Sequence, residues 1–199
     1  LGNVSEELGP TLREPPFLVM QSSGAVISAE QVVEKPITTA LSGPAAGALG
    51  AAVVSKGAGF SDVVTLDAGG TSTDICLIEG GAPHITTDAS VGPFPVRLPM
   101  IDIRTVGTGG GSIAWITREG NLNVGPISAG AVPGPMCYPN GGDEPTITDA
   151  NLALGRLPAE LIGGGIVLNA DRARSGIAEL AVKLGQDMSA EELAAGIIE

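Results

Sequence analysis

Apolar residues occur along the chain in short bursts, broken by Gly, Pro and small polar residues. Phe17 to Gln21 is one such burst, ends in Ser22, Ser23 and Gly24, and predicts a buried strand entering a turn. Ser28 followed by Gln31 predicts a capping box for a short helix to Lys35, which Pro36 stops, and Ile37 to Leu41 reads as a second extended piece. Ser42 is placed to cap a helix over Gly43 to Lys56, with Pro44 in its first turn and Gly57 to end it. The first half of that helix is almost wholly Ala and Gly, so another backbone or a ligand can approach it closely.

From Asp62 the pattern switches to strands: Val63 to Leu66, Ile75 to Ile78, His84 to Thr87, Phe94 to Leu98, Ile101 to Val106, Ile113 to Thr117 and Leu122 to Val124. A long Pro-rich and Gly-rich stretch follows, Gly125 to Pro145, of a length that in compact domains usually carries function. Helical patterning returns at Thr148 to Leu154, at Asn169 or Asp171 to about Leu184, and after a second capping box at Ser189 and Glu192.

Composition narrows the function. The 199 residues include 30 Gly and 15 Pro, are 43% apolar and only 16% charged, which indicates a folded chain with a real core. The formal charge of −12 and the scatter of Lys and Arg argue against a nucleic-acid partner, since a polyanion needs a basic surface. No apolar run is long enough to span a bilayer, and Leu1 to Pro16 lacks a signal-peptide pattern. Cys76 and Cys137 lie far apart, as expected of reduced thiols in the cytoplasm. His84 is the only histidine, which argues against a histidine-rich metal centre or a Ser-His-Asp triad within this chain alone. The chain opens on Leu1 and stops at Glu199 inside a helical pattern, so it reads as a fragment: residues 1–16 left from an upstream lobe, and 17–199 a lobe truncated at its C-terminal end.

Two motifs carry chemistry. Leu66-Asp67-Ala68-Gly69-Gly70-Thr71-Ser72-Thr73-Asp74 is a strand, a Gly-Gly turn and a second strand. Its glycines let phosphate oxygens reach backbone N–H groups, its hydroxyls add donors, and Asp67 or Asp74 is suited to hold Mg²⁺ or orient an attacking group. The alternative is an ordinary hairpin. Val106-Gly107-Thr108-Gly109-Gly110-Gly111-Ser112 also follows a strand and leaves bare backbone for a flat or phosphorylated group. It lacks the spacing of a dinucleotide fingerprint, and its alternative is a β-bulge or flexible loop. Asp102 and Arg104 alternate with Ile101 and Ile103, so they share a strand face, either towards a ligand or as a surface ion pair. Asp149 and Asn151 either reach the site or cap a helix, and Cys137 is either a reactive thiol or a small buried residue.

At Leu66 to Asp74 the chain resembles the second phosphate loop of the actin, sugar kinase and Hsp70 ATPase superfamily. More specifically it resembles the hydantoinase A and oxoprolinase family. Supporting segments run in order through Met20-Gln21-Ser22, Leu41-Ser42-Gly43-Pro44-Ala45, Pro99-Met100-Ile101-Asp102, Gly107 to Ile113, Ser128-Ala129-Gly130, Pro133-Gly134-Pro135, Cys137-Tyr138 and Pro145 to Leu152. The resemblance implies an α/β chain, an incomplete actin-like, ribonuclease H-like lobe with a mixed sheet flanked by helices. It also implies an ATP-dependent subunit that phosphorylates a lactam, hydantoin or ketone oxygen before ring opening or carboxylation, with a hydantoinase B type partner. Carried onto this sequence, Gly69, Gly70, Thr71, Ser72 and Thr73 hold the phosphates of ATP, Asp67 and Asp74 serve catalysis and Mg²⁺, and Gly107, Gly109, Gly110, Gly111 and Ser112 line the same cleft. Two departures stand out. Arg104 occupies a position where many relatives carry a His, and an arginine does not ligate a metal but can pair with a phosphate or carboxylate. No Asp-x-Gly-Gly-Thr loop precedes Leu66, so the first phosphate loop is expected upstream of Leu1 and the fragment alone is expected to be inactive. A nucleotide-binding or assembly module that docks a catalytic partner is the alternative function, and a plain Gly-rich β domain the third.

Overall fold

The structure is a computed structural model of the chain and describes residues 17–91, 94–160, 165 and 167–199. The segment expected to be left from an upstream lobe, 1–16, lies outside the described residues. Two compact units are present: residues 17–67 with Asp74–Arg104, and Ala68–Thr73 with Thr105–Glu199. The expected α/β character is found, but among the described residues the strands are shared between one four-stranded and four two-stranded sheets rather than gathered into one. Short strands punctuated by Gly and Pro form mostly two-stranded pairs.

In the first unit, β1 (Leu18–Met20) and β2 (Val26–Ser28) form an antiparallel hairpin. The capping box at Ser28 and Gln31 starts α1 (Ala29–Glu34) as the sequence predicts. The segment expected to be extended at Ile37 to Leu41 is instead a 3₁₀ turn over Pro36–Thr39. Pro36 presets the helical φ, and the Thr38 and Thr39 hydroxyls donate back to the carbonyls of Lys35 and Pro36, both at 2.8 Å. The buried Ser22 hydroxyl lies against the carbonyls of Thr38 and Ala40. Helix α2 (Ser42–Gly57) also differs at its start: Leu41, left-handed at φ 60°, occupies the capping position, Ser42 is already helical, and no side chain caps the helix.

The buried face of α2, Ala45 and Ala48, packs with Leu49 against Cys76, Ile101 and Ile103. Cys76 belongs to β4 (Thr73–Glu79), which lies between β3 (Val63–Ala68) and β10 (Ile103–Val106), with β5 (Ala82–Pro83) paired antiparallel to β4. The strand expected to be continuous from Ile101 to Val106 is interrupted at Asp102, whose N–H donates to the His84 carbonyl at 2.8 Å. Its first part, β9 (Met100–Ile101), pairs with β6 (Ile85–Thr86). β7 (Ala89–Val91) pairs with β8 (Phe94–Val96).

In the second unit, β11 (Ser112–Ile116) and β12 (Leu122–Ser128) form an antiparallel hairpin with an irregularity between Ser112 and Ala114. Against it pack α3 (Ile147–Ala153), α4 (Ala170–Leu184) and α5 (Ala190–Ile198). Ala114, Ala150, Ile177, Leu180, Leu193 and Ile197 form the centre of this core. The periodicity of α4 places Ala173, Ile177, Leu180 and Ala181 on one buried face, and Gly185, left-handed at φ 71°, ends the helix. Asn169 caps α4 and Ser189 with Glu192 caps α5, both as expected.

The stretch read as irregular from Gly125 begins as part of β12, which runs to Ser128, and the remainder is a sequence of turns tied to the helices. Asp149, fully buried in α3, does most of the tying. Its carboxylate accepts from the N–H groups of Met136 at 3.1 Å, Cys137 at 2.7 Å and Thr146 at 2.8 Å, and from the Thr146 hydroxyl at 2.7 Å. From α4, Arg172 donates to the carbonyls of Gly141 and Gly142 at 3.1 and 3.0 Å. Met136 fills a notch left by Gly176, where a Cβ would collide with the Met136 sulfur.

Replacing Asp149 by Ala leaves buried N–H donors without an acceptor, at a cost of 1–3 kcal/mol for each such group. Asp149→Ala is therefore expected to lower unfolding stability in urea by at least about 3 kcal/mol. Asn151→Ala, which removes only a 3.1 Å bond from the side-chain amide to the Ile147 carbonyl in the same helix, is expected to cost under about 1 kcal/mol. Equal losses for the two variants would contradict the anchoring role.

Candidate functional site

The two glycine motifs meet within the second unit. Gly110 N–H donates to the Gly69 carbonyl at 2.9 Å, Gly111 N–H to the Gly70 carbonyl at 2.6 Å, and the Thr73 hydroxyl to the Thr108 carbonyl at 2.7 Å. Each loop is also braced internally, by Gly69 N–H on the Ser72 carbonyl at 2.9 Å and Gly109 N–H on the Ser112 hydroxyl at 3.0 Å. The bare backbone of the second loop is thus used first by the first loop. A Cβ on Gly109 would lie 2.7 Å from the Gly69 carbonyl oxygen and the Ser72 nitrogen, and one on Gly111 would lie 2.8 Å from the Gly70 carbonyl oxygen. Gly70 faces open space, and no atom crowds Gly107 closely. The amides of Gly70, Thr71 and Ser72 donate none of the bonds that join the loops.

These loops border a cavity of about 520 Å³. Gly70, Thr71, Gly111 and Thr148 give it bare backbone and hydroxyls, while Ala131, Pro135 and Tyr138 come from the anchored loop. Thr148 ties α3 to the second glycine loop: its N–H and its hydroxyl both reach the Gly110 carbonyl at 2.8 Å. Ala131, Pro135, Tyr138 and Thr148 were not among the residues singled out in the sequence. The available signal was the length of the Pro/Gly stretch, which marked the segment as functional without naming its members.

Asp67 and Asp74 belong to the first unit and line a separate space of about 220 Å³, together with Thr65 and, from α2, Pro44, Gly47, Ala48 and Ala51. The small-residue face of α2 packs closely on Cys76 and also lines the open space beside the two carboxylates. Among the described residues no group of three or more His, Cys, Asp or Glu is gathered to hold a metal.

Asp102 and Arg104 take the ion-pair alternative, with Arg104 Nε 3.3 Å from the Asp102 carboxylate and the Arg104 side chain largely exposed. Asp149 takes the capping alternative: it forms a capping box with Thr146 and has its oxygens occupied by protein donors. Asn151 bonds within its own helix. Burial and the adjacent Asp149 carboxylate push the Cys137 thiol above its usual range, so it is a packed residue and no ready nucleophile. Burial, with a lesser effect of Asp102, likewise raises Cys76.

A model of the hydantoinase/oxoprolinase family matches residues 1–199. The chain is 43% identical over 195 residues to the caprolactamase subunit alpha of Pseudomonas jessenii, an alignment that covers 97% of this chain and 27% of that protein. Among solved structures, that of the ATP-dependent caprolactamase from Pseudomonas jessenii matches with a TM-score of 0.80 and 41% identity, over 99% of this chain and 29% of the other. An acetone carboxylase, solved nucleotide-free in work on ATP-dependent acetone carboxylation, matches with a TM-score of 0.84 and 30% identity, over 99% of this chain and 28% of the other. The chain thus spans between a quarter and a third of the length of these relatives. Its fold and its sequence along the whole length agree: the chain belongs to the hydantoinase/oxoprolinase family.

Proposed function

We propose that this chain is the phosphate-loop part of an actin-like ATPase subunit that uses ATP to phosphorylate the oxygen of a cyclic amide or ketone, activating it for ring opening or carboxylation. The observation that carries the reading is the union of two glycine loops, Gly69 to Thr73 and Gly107 to Ser112, whose mutual bonds leave the Gly70, Thr71 and Ser72 amides outside their network and beside a cavity. Relatives named as an ATP-dependent caprolactamase and an ATP-dependent acetone carboxylase support the choice of nucleotide and of acceptor.

An amide oxygen is a poor leaving group, and phosphorylation turns it into a good one while making the carbon electrophilic. Such a transfer is accelerated chiefly by positioning and by neutralising charge, which suits a site without histidine. In this chain the amides of Gly70, Thr71 and Ser72 bind the phosphate oxygens, and the Gly109 and Gly111 contacts hold those amides in place. The carboxylates of Asp67 and Asp74 fit Mg²⁺, a hard cation that takes one or two carboxylates and completes its shell with water and phosphate, so a third protein ligand is not required. Mg²⁺ held by such carboxylates would supply charge neutralisation to phosphoryl transfer. Partner subunits belong to the same proposal: relatives of this chain are named as the alpha subunit of caprolactamase, the gamma subunit of acetophenone carboxylase and the beta subunit of acetone carboxylase.

Asp67→Ala in the full-length protein is expected to weaken Mg²⁺-dependent ATP binding at least tenfold by calorimetric titration, and unchanged affinity would remove it from the site. Gly109→Ala, which drives a methyl into the Gly69–Ser72 backbone, is expected to reduce ATP hydrolysis more than a hundredfold with some loss of stability. Full activity in that variant would contradict the joined-loop cradle.

A further inference from the structure

The two glycine loops are joined through peptide groups, and the joining has a direction. A carbonyl and the N–H of the following residue belong to one peptide unit, so a bond accepted at the carbonyl polarises the N–H at the other end. The Gly110 carbonyl accepts two bonds from Thr148, one from its N–H and one from its hydroxyl, both at 2.8 Å. The N–H of that same peptide unit, on Gly111, donates to the Gly70 carbonyl at 2.6 Å. The N–H that shares a unit with the Gly70 carbonyl is that of Thr71, which lines the cavity and donates none of the bonds that join the loops. The series therefore begins at a half-buried side chain, crosses buried Gly111 and ends at exposed Thr71. Two features hold Thr148 at its head. A Cβ on Gly110 would lie 2.8 Å from the Thr148 hydroxyl oxygen, so the missing side chain makes room for that hydroxyl. The Thr148 N–H lies in the first turn of α3, where the helix offers it no carbonyl. The Ser128 hydroxyl is a weaker second donor to the Gly70 carbonyl, at 3.4 Å.

Resting on the function proposed above, we propose that Thr148 is a positioning residue of this site. Acting through the Gly110–Gly111 and Gly70–Thr71 peptide units, it aims and polarises the Thr71 amide for a phosphate oxygen of the nucleotide. Thr148 also lines the cavity, but its one hydroxyl proton is committed to Gly110, so it has no O–H to give a ligand. Thr146, two residues earlier, has its hydroxyl on the Asp149 carboxylate and takes no part. Two donors on one carbonyl fix the plane of that peptide more firmly than one, and each later bond inherits the orientation. A polarised N–H held in place is worth most where negative charge builds up during transfer. Removing the Thr148 hydroxyl leaves its N–H bond and the contacts between the loops, so the loss falls on the transfer step more than on nucleotide binding.

The test is Mg²⁺-dependent ATP hydrolysis by the full-length protein, with urea unfolding to check that each variant folds. Thr148→Val, which keeps the side-chain shape and removes the hydroxyl, is expected to lower kcat about tenfold while the KM for ATP stays within about threefold. Thr148→Ser, which restores a hydroxyl, should bring kcat back to within about threefold of the unsubstituted protein. Ser128→Ala should lower kcat roughly two- to threefold at unchanged KM, and it carries the test if Thr148→Val does not fold. Unchanged kcat in the folded variant, equal losses in Thr148→Val and Thr148→Ser, or a rise in KM that matches the fall in kcat overturns the role of Thr148 and leaves the nucleotide reading intact. Absence of Mg²⁺-dependent hydrolysis in the unsubstituted protein overturns the nucleotide reading and this inference with it.

Discussion

The second unit depends on one buried carboxylate. Asp149 is fully buried, and its charge is offset by N–H and O–H donors from two segments, Met136–Cys137 and Thr146. Bonds to an ionised acceptor are stronger than those between neutral groups, and leaving their donors unmet inside the protein is costly. The anchor therefore fixes a loop that has no regular structure of its own to hold it. Helix α3 follows directly from Thr146, so the same carboxylate sets where α3 begins. One turn of that helix then presents Thr148 to the second glycine loop. A single side chain thus connects the long loop, a helix and the second glycine loop.

Glycine has two separate uses in this chain. At Gly109 and Gly111 the missing Cβ makes room for the backbone of the first loop, at 2.7 and 2.8 Å, where no other residue fits. At Gly70 there is open space, and the missing side chain exposes backbone to the cavity. The first use is structural and makes the second possible, because amides that bind an anion must be held still beforehand. The loops of the two motifs are packed on each other, and the packed pair borders a cavity.

Features governed by local chemistry were legible in the sequence. The capping boxes at Ser28 and Ser189, the strands around Val63, Ile75 and Ile113, and the face of α4 follow from spacing and side-chain type alone. Where further contacts decide, the reading failed: the Ile37 to Leu41 segment turns helical because Ser22 meets the Thr38 and Ala40 carbonyls and the two threonines bond back to Lys35 and Pro36, and Leu41 takes the left-handed cap that Ser42 seemed to claim. The same limit applies to the site. Gly69 to Thr73 and Gly107 to Ser112 stand out as motifs, whereas Tyr138 and Ala131 enter the cavity only because Asp149 and Arg172 fold their loop there. For Asp149 itself, the side-chain type allowed either a site or a cap, and its burial against backbone donors decides for the cap.

Electrostatics complete the picture. A chain with 22 acidic and 10 basic residues has little cationic surface to offer a nucleotide, so the anion binding proposed for it would fall to backbone dipoles and a metal ion. Hydrogen–deuterium exchange of the full-length protein, with and without Mg²⁺ and a non-hydrolysable ATP analogue, tests this most directly because it reads the amides themselves. The account predicts slowed exchange across Gly70, Thr71 and Ser72 when the analogue binds. Binding of the analogue with exchange unchanged in that segment would contradict it.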